Sequence, residues 1–165
     1  MRLCMQRKSI RKYIDKEVPD AAIQALMESA MQAPSARNQQ PWDFIVIKNR
    51  SLLKKLSQVS RGAWPLAGAP LGILTLMRDD SPADHMLPQD LAAATHNILL
   101  EATYQGLGAV WIGVYPLEER LENLKTLIDI PDGKTPFSMI AVGYPDEPTE
   151  VTNIRYDASR VTVIE

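Results

Sequence analysis

The chain has 165 residues, enough to bury a sizeable hydrophobic core in one domain without disulfide bonds. Hydrophobic residues make up 45% and charged residues 23% of the sequence, which excludes a disordered or low-complexity chain. The formal net charge of −2 gives no overall attraction to nucleic acid or to anionic membranes, so any basic binding site must be local.

The sequence also indicates in which cellular compartment the protein is expected. Cys4 is the only cysteine, which excludes an internal disulfide and a CxxC motif. The first residues are charged where a signal peptide needs an apolar stretch. The longest apolar run, Ala63 to Met77, is interrupted by prolines and is too short to span a bilayer. We therefore expect a cytoplasmic protein with neither a nucleic-acid nor a membrane partner.

The apolar pattern predicts helices that alternate with strands. The first helix follows Asp20 and ends before Pro34, because its apolar side chains recur at helical spacing. Further helices are predicted at 52–59, 89–106 and 117–128, and strands at 44–47, 71–77, 109–114 and 137–142. The helix at 89–106 is expected to be central, because its many alanines allow close packing.

The last part of the chain, residues 144–165, has a different character, and we call it the tail. Its prolines and polar residues predict an extended stretch that ends in a strand-like tip at 161–164. The apolar residues of this tip need cover from water. The edge of a partner subunit's sheet would provide it.

A basic cluster surrounds Ser9 near the start of the chain. It consists of Arg7, Lys8, Arg11 and Lys12. Two guanidinium groups, a hydroxyl and free backbone N–H groups suit a phosphate dianion. A solvated basic terminus would explain the same residues.

A polar loop at residues 33–42, here called the site loop, lies between the first helix and the first strand. Its amide and hydroxyl side chains offer donors and acceptors that can read the edge of a heterocycle. An ordinary capping and turn segment would have the same composition.

A glycine-rich stretch contains Gly106, Gly108 and Gly113. Its spacing does not match GxGxxG, and it follows a helix and precedes a strand, which excludes a Rossmann dinucleotide site. Close approach of the backbone to a flat ligand near Gly113 remains open.

The two histidines indicate no metal site. Neither lies in an HExxH or CxxC context, and we expect a surface His85 and a partly buried His96. No GxSxG motif or P-loop is present.

In this order, the segments resemble the nitroreductase family of FMN-dependent NAD(P)H oxidoreductases. Arg7–Arg11 is similar to the family's R-x-S-x-R motif, and residues 33–42 are similar to its A-P-S-x-x-N-x-Q-P-W loop. Later similarities are Asp90 with residues 97–102, residues 106–113, residues 143–145 and Arg155.

The resemblance implies an α+β fold with a mixed, mainly antiparallel sheet sandwiched by helices. It implies one nitroreductase-like domain over residues 1–165 and an obligate homodimer with FMN at the interface. The tail would then pack on the partner subunit. Many relatives carry inserted helices over the site, and because the chain lacks them a more open pocket is expected. The chain also lacks the Asn and Lys pair that some relatives place near residues 62–65 to bind the flavin.

The resemblance also assigns residues to the phosphate end of FMN. Arg7, Ser9 and Arg155 would grip the phosphate. Lys8 would contribute mainly backbone contacts. Arg11 would lean toward the pyrimidine edge of the flavin ring, where a cation stabilises the negative charge of the reduced ring.

Other residues are assigned to the ring. Pro34, Ser35 and Asn38 of the partner subunit would line it, and the backbone around Ile112 and Gly113 would lie near its reactive face. No catalytic side chain is assigned, because the flavin carries the chemistry and protein groups tune it.

The activity implied by the resemblance is electron transfer from NADH or NADPH to a small organic acceptor, such as a nitroaromatic or a quinone, by a shuttle mechanism. Two alternatives remain open from the sequence. One is a flavin store or sensor without reductase turnover, and the other is a helix–sheet interaction module without a ligand.

Overall fold

The computed structural model describes residues 3–151 and 155–165, and in them every predicted helix and every strand up to residue 143 is present. The elements in chain order are α1 (Asp20–Met31), β1 (Trp42–Ile47), α2 (Arg50–Leu56), β2 (Leu71–Arg78), α3 (Leu87–Tyr104), β3 (Gly108–Gly113), α4 (Glu118–Lys125) and β4 (Lys134–Gly143). Short 3-10 turns lie at Leu3–Met5, Ala36–Asn38, Arg61–Ala67, Asp84–Met86 and Ala158–Arg160.

The four strands form one sheet in the order β1-β2-β4-β3. All neighbouring strands are antiparallel, with β2 and β4 in the centre and β3 at an edge. A shift of register between Thr75 and Leu76 leaves Phe137 of β4 without a partner, which makes a bulge at Phe137. The one parallel bridge among the described residues joins Ser9 to Ala109 of β3. The predicted mixed, mainly antiparallel sheet is therefore confirmed.

Helices cover both faces of the sheet. One face packs against α1 and the central helix α3, and the other packs against α2, the turn Arg61–Ala67 and α4. Successive side chains of β2 and β4 enter these two cores in turn, so both strands are buried on both sides. Leu91, Ala94 and Ile98 of α3 have no exposed surface, which confirms that this helix is central.

Residues 9–14 form what we call the N-terminal strap, which lies between β3 and the segment that follows β4. The Ile10 N–H donates to the Ala109 carbonyl at 3.0 Å, and the Ile14 N–H donates to the Tyr144 carbonyl at 3.0 Å. A Cβ atom on Gly108 would lie 2.5 Å from the Cγ2 atom of Ile10. Gly108 is therefore needed for close packing of the strap, and no nucleotide has to be invoked for it.

The tail does not form the expected strand within one chain. Val161 has an extended backbone, yet Val161, Val163 and Ile164 pair with no strand and are 53%, 77% and 91% exposed. A strand needs a neighbouring ladder, and this chain offers none to the tip. Within residues 3–151 and 155–165, no helix has the length and hydrophobicity needed to cross a membrane.

Candidate functional site

The basic residues near the start of the chain meet the tail at one cavity of about 340 Å³, here called the basic cavity. Its lining consists of Arg7, Lys8, Ser9, Arg11, Glu150, Val151 and Arg155. Three guanidinium groups and one ammonium group therefore surround it against a single carboxylate. Such a set of forked donors suits a phosphate dianion.

The tail residues next to the strap fix the backbone of the basic segment. The Glu147 carboxylate accepts hydrogen bonds from the N–H groups of Arg11 and Lys12. The Lys8 ammonium donates to the Pro148 carbonyl at 2.7 Å, so the Lys8 side chain and not only its backbone has a defined partner. Among the described residues, neither Arg7 nor Arg11 forms an ion pair, which leaves both guanidinium groups for a ligand.

These contacts make the strap sensitive to acid. The Arg11 N–H, then the Lys12 N–H and the charges of Lys8 and Lys12, hold the pKa of Glu147 below its ordinary value, against an opposing effect of partial burial. A carboxyl whose pKa is lowered in the folded protein stabilises it fully above the unfolded pKa. That contribution is lost as the pH falls through the lowered folded value.

The site loop contains a run of unusual backbone conformations. Arg37, Asn38 and Gln40 have φ angles of 54°, 53° and 48°. These angles lie in the left-handed region of backbone conformation, which residues other than glycine rarely adopt. Each such residue costs on the order of 1–3 kcal/mol, and such strain clusters at functional sites. The Ser35 hydroxyl accepts from the Gln40 N–H at 3.0 Å, while Pro34 and Asn38 are exposed.

Asp90 of α3 holds the site loop in this conformation. It is 4% exposed, and its two carboxylate oxygens accept from the Ala36 N–H at 2.9 Å and from the Gln39 amide at 2.7 Å. The Gln39 amide oxygen in turn accepts from the Ala83 N–H at 2.9 Å. The amide of Gln39 is thus used within the chain. Gln39 therefore serves the turn itself, and its amide is not available to bind the edge of a heterocycle.

The outer edge of β3 presents backbone groups next to the basic cavity. The Ala109 carbonyl points to the strap and away from β4, as the hydrogen bond to it shows. Because N–H and C=O groups alternate between the two edges of a strand, those of Trp111 and Gly113 face the same outer edge. The Ile112 side chain is 3% exposed and belongs to the core. Gly113 therefore offers its amide to a ligand, and Ile112 supports the strand.

The two predicted ends of the site lie along this one strand. Ser9 is bridged to Ala109, and Gly113 ends the strand four residues later. That separation corresponds to about 13 Å in an extended strand. Among the described residues, the lining of the basic cavity includes neither Gly113 nor the loop residues Pro34, Ser35 and Asn38. One chain therefore does not gather all the predicted residues into one cavity.

Several residues near the site were missed by sequence reasoning. Arg120 of α4 donates to the Gly113 carbonyl at 2.7 Å, and a buried cluster of hydroxyls joins Thr75, Thr95 and Ser138 between the sheet and α3. The only sign of Arg120 in the sequence is its position, because it is a cation in the first turn of a helix, where acidic residues are favoured. The hydroxyl cluster had no local signal, because its members come from three distant elements.

Both histidines lie on the surface of the protein. His85 is exposed as expected, but His96 is exposed as well. The expectation of a partly buried His96 is wrong, because the buried stripe of α3 passes through its neighbours Ala94, Thr95 and Ile98. In the part of the chain that the structure describes, no three His, Cys, Asp or Glu residues are grouped so that they could hold a metal ion.

Comparison with known proteins gives the family. A family model described as "Nitroreductase family" matches residues 4–84 and 66–144. The chain belongs to the nitroreductase family. This membership makes it an oxidoreductase and confirms the resemblance carried by the R-x-S-x-R motif and the site loop.

Individual relatives agree with this assignment. The chain is 44% identical over 144 residues to a Methanothermobacter thermautotrophicus protein named "Putative NADH dehydrogenase/NAD(P)H nitroreductase", covering 86% of this chain and 74% of that protein. It is similar to the crystal structure of a "Putative NADH Oxidase" from Clostridium acetobutylicum, with a TM-score of 0.95, 44% identity and 99% of both chains covered. The crystal structure of a "putative nitroreductase in complex with fmn" from Desulfovibrio desulfuricans has a TM-score of 0.83 and 29% identity, over 99% of this chain and 95% of that one.

Asp90→Asn should loosen the site loop and destabilise the protein. The Gln39 amide cannot turn over, because Ala83 fixes its orientation, so the single amide oxygen of the new side chain can accept from either Gln39 or Ala36 but not both. We expect a loss of about 1.5–3 kcal/mol in the free energy of unfolding, the range for hydrogen bonds to charged groups. Urea unfolding measures it, and trypsin should cleave faster after Arg37. Asp129→Asn is the control, because Asp129 is exposed and remote from the loop, and equal stability of the two variants would contradict the assigned role.

Proposed function

We propose that the protein is a cytoplasmic FMN-dependent oxidoreductase that passes electrons from NADH or NADPH to a small organic acceptor in two separate half-reactions. The observation that carries this proposal is that Ser9, which lines the basic cavity, is bridged to Ala109 of β3, whose open outer edge runs on to Gly113. One end suits a phosphate, and the other offers backbone donors to a flat ring. Family membership and the FMN complex of the Desulfovibrio desulfuricans nitroreductase support it.

The basic cavity fits the phosphate of FMN. Arg7 and Arg11 have no ion-pair partners among the described residues, and Arg155 reaches the same cavity from the tail. The Ser9 hydroxyl adds a donor. The chain has no dinucleotide fingerprint, so we propose FMN in preference to FAD.

The edge of β3 and the site loop would handle the ring. When bound, FMN supplies acceptance and donation of a hydride, and the protein needs no acid or base of its own for that. The Gly113 amide offers a hydrogen bond to a ring atom, and a small residue there allows close approach. Arg11 lines the basic cavity, and by the family resemblance its guanidinium would lean toward the ring and stabilise the negative charge of the reduced state. Pro34 and Asn38 of a partner copy, on the loop that Asp90 holds at Ala36 and Gln39, would provide walls that exclude water.

We propose further that the site is completed by a second copy of the chain. Pro34, Ser35 and Asn38 are outside the basic cavity of their own chain, so a partner would have to present them. The apolar tip of the tail is exposed, and an apolar cavity of about 400 Å³ lies beside the basic cavity. Its lining is Met5, Gln6, Thr103, Gly106, Leu107, Pro145, Thr149, Glu150 and Val151. The partner's tip would have cover there.

The proposed two-step transfer predicts the form of the kinetics. Donor and acceptor would use one ring surface in turn, so double-reciprocal plots at several NADH concentrations should be parallel. A quinone or a nitroaromatic serves as the acceptor, and the absorbance of NADH is followed. Intersecting lines would mean that both substrates bind at once. Bound flavin without turnover would instead favour a flavin store or sensor.

Arg7→Ala should weaken FMN binding. Removing one guanidinium from the basic cavity deletes a charge-assisted hydrogen bond to the phosphate, worth about 1.5–3 kcal/mol. Titration of the apoprotein with FMN, followed by flavin fluorescence, measures the change. Lys54→Ala is the control, because Lys54 is an exposed cation on α2 that is remote from the cavity lining. An unchanged Kd in Arg7→Ala would remove Arg7 from the site.

Two truncations should separate the roles of the tail. Deleting residues 161–165 removes the apolar tip and keeps Arg155, and we expect a weaker dimer. Deleting residues 150–165 also removes Arg155, and we expect loss of FMN together with loss of the dimer. Obligate interfaces of this kind bury roughly 2,000–5,000 Å². Sedimentation velocity and the flavin absorbance of the purified protein measure both. A longer truncation that remains a dimer with full FMN would contradict both roles.

A further inference from the structure

Arg120 lies at the end of β3 and has no role in the proposed function described above. Its Nη1 atom donates to the Gly113 carbonyl at 2.7 Å. The same atom would lie 3.8 Å from a Cβ atom on Gly113 and is the one neighbour within 4 Å of that position in the described chain. The guanidinium group is therefore the positive charge closest to the open side of Gly113.

Helix stability does not explain this position. Arg120 is the third residue of α4, in the first turn, where the helix dipole favours anions such as Glu118 and Glu119 and disfavours cations. Among the described residues no carboxylate forms an ion pair with Arg120. Its defined contact is the carbonyl of Gly113. A residue that breaks a local rule without a local gain points to a role elsewhere.

We infer that Arg120 is a positioning residue of the flavin site, which fixes the Gly113 peptide and places a positive charge beside the ring, so that reduced FMN binds more tightly than oxidised FMN. The inference rests on the proposed function. A hydride from the nicotinamide brings two electrons and one proton to the ring, and the nicotinamide leaves as a cation. The ring then carries an additional negative charge, which a partly buried guanidinium stabilises.

Three substitutions separate the charge from the hydrogen bond. Arg120→Lys keeps the charge and a donor, Arg120→Gln keeps a neutral donor, and Arg120→Ala removes both. Lys125→Gln is the control for net charge, because Lys125 lies at the other end of α4 and pairs with Glu122 at 3.1 Å. Each full-length protein is titrated without oxygen with FMN and with dithionite-reduced FMN, which gives a Kd for each redox state.

The measured quantity is the ratio of the Kd for oxidised FMN to the Kd for reduced FMN. We expect it to fall roughly tenfold in Arg120→Gln and in Arg120→Ala, which corresponds to a potential lower by about 30 mV for a two-electron couple. Arg120→Lys should keep most of the ratio, and Lys125→Gln should keep all of it. A purely structural role would weaken both redox states equally and leave the ratio unchanged.

The outcomes are distinct. An unchanged ratio in Arg120→Gln and Arg120→Ala, with FMN still bound, overturns the inference and leaves the proposed function intact. A ratio lost in Arg120→Ala but kept in Arg120→Gln overturns the role of the charge. Wild-type protein that binds no FMN overturns the proposed function and the inference with it. If Arg120→Ala does not fold, the Gln and Lys variants decide.

Discussion

The candidate site depends on the close packing of the N-terminal strap against β3. Ile10 lies against the bare Cα of Gly108 and donates its N–H to Ala109, while Tyr144 accepts from the other end of the strap. These contacts fix a charged segment along the edge of the sheet. Arg11 belongs to this segment, and Arg7 precedes it by two residues. The basic cavity exists because an apolar contact a few residues away holds the backbone.

The same packing leaves a controlled opening at the sheet edge. An uncovered edge strand exposes backbone donors and acceptors and invites pairing with other chains. Here the strap covers the start of β3 and Arg120 covers the Gly113 carbonyl, which leaves the N–H and C=O of Trp111 and the N–H of Gly113 between them. A short open segment between two blocked ends can accept a ligand and is too short to accept a strand.

A second constraint is the buried carboxylate of Asp90. The strain of Arg37, Asn38 and Gln40 is sustained because Asp90 accepts hydrogen bonds from the loop and is itself anchored on the central helix. A rigid loop loses little conformational entropy when a ligand or a partner binds. The strap and the site loop are thus alike in being polar segments that the fold holds in place before a ligand binds.

The sequence by itself determined the helices, the strands of the sheet, the family motifs and the basic cluster. Each of these is carried by spacing or composition over a few consecutive residues, as in the alanine-rich stripe of α3. The type of sheet was predicted through the family resemblance, because members of a family share a fold. Within one chain the tip at 161–164 was not determined, since a strand forms only where another strand pairs with it.

Only the tertiary structure decided which polar residues serve the fold and which are free for a ligand. Asn38 and Gln39 are adjacent amide residues of the site loop, and the sequence does not distinguish their roles. In the structure Gln39 is hydrogen-bonded to Asp90 and Ala83, while Asn38 is exposed. Arg120 is brought to the candidate site by its contact with Gly113, which lies seven residues earlier in the chain and in a different element. Such roles arise from hydrogen bonds between elements brought together by core packing, and no local periodicity encodes them.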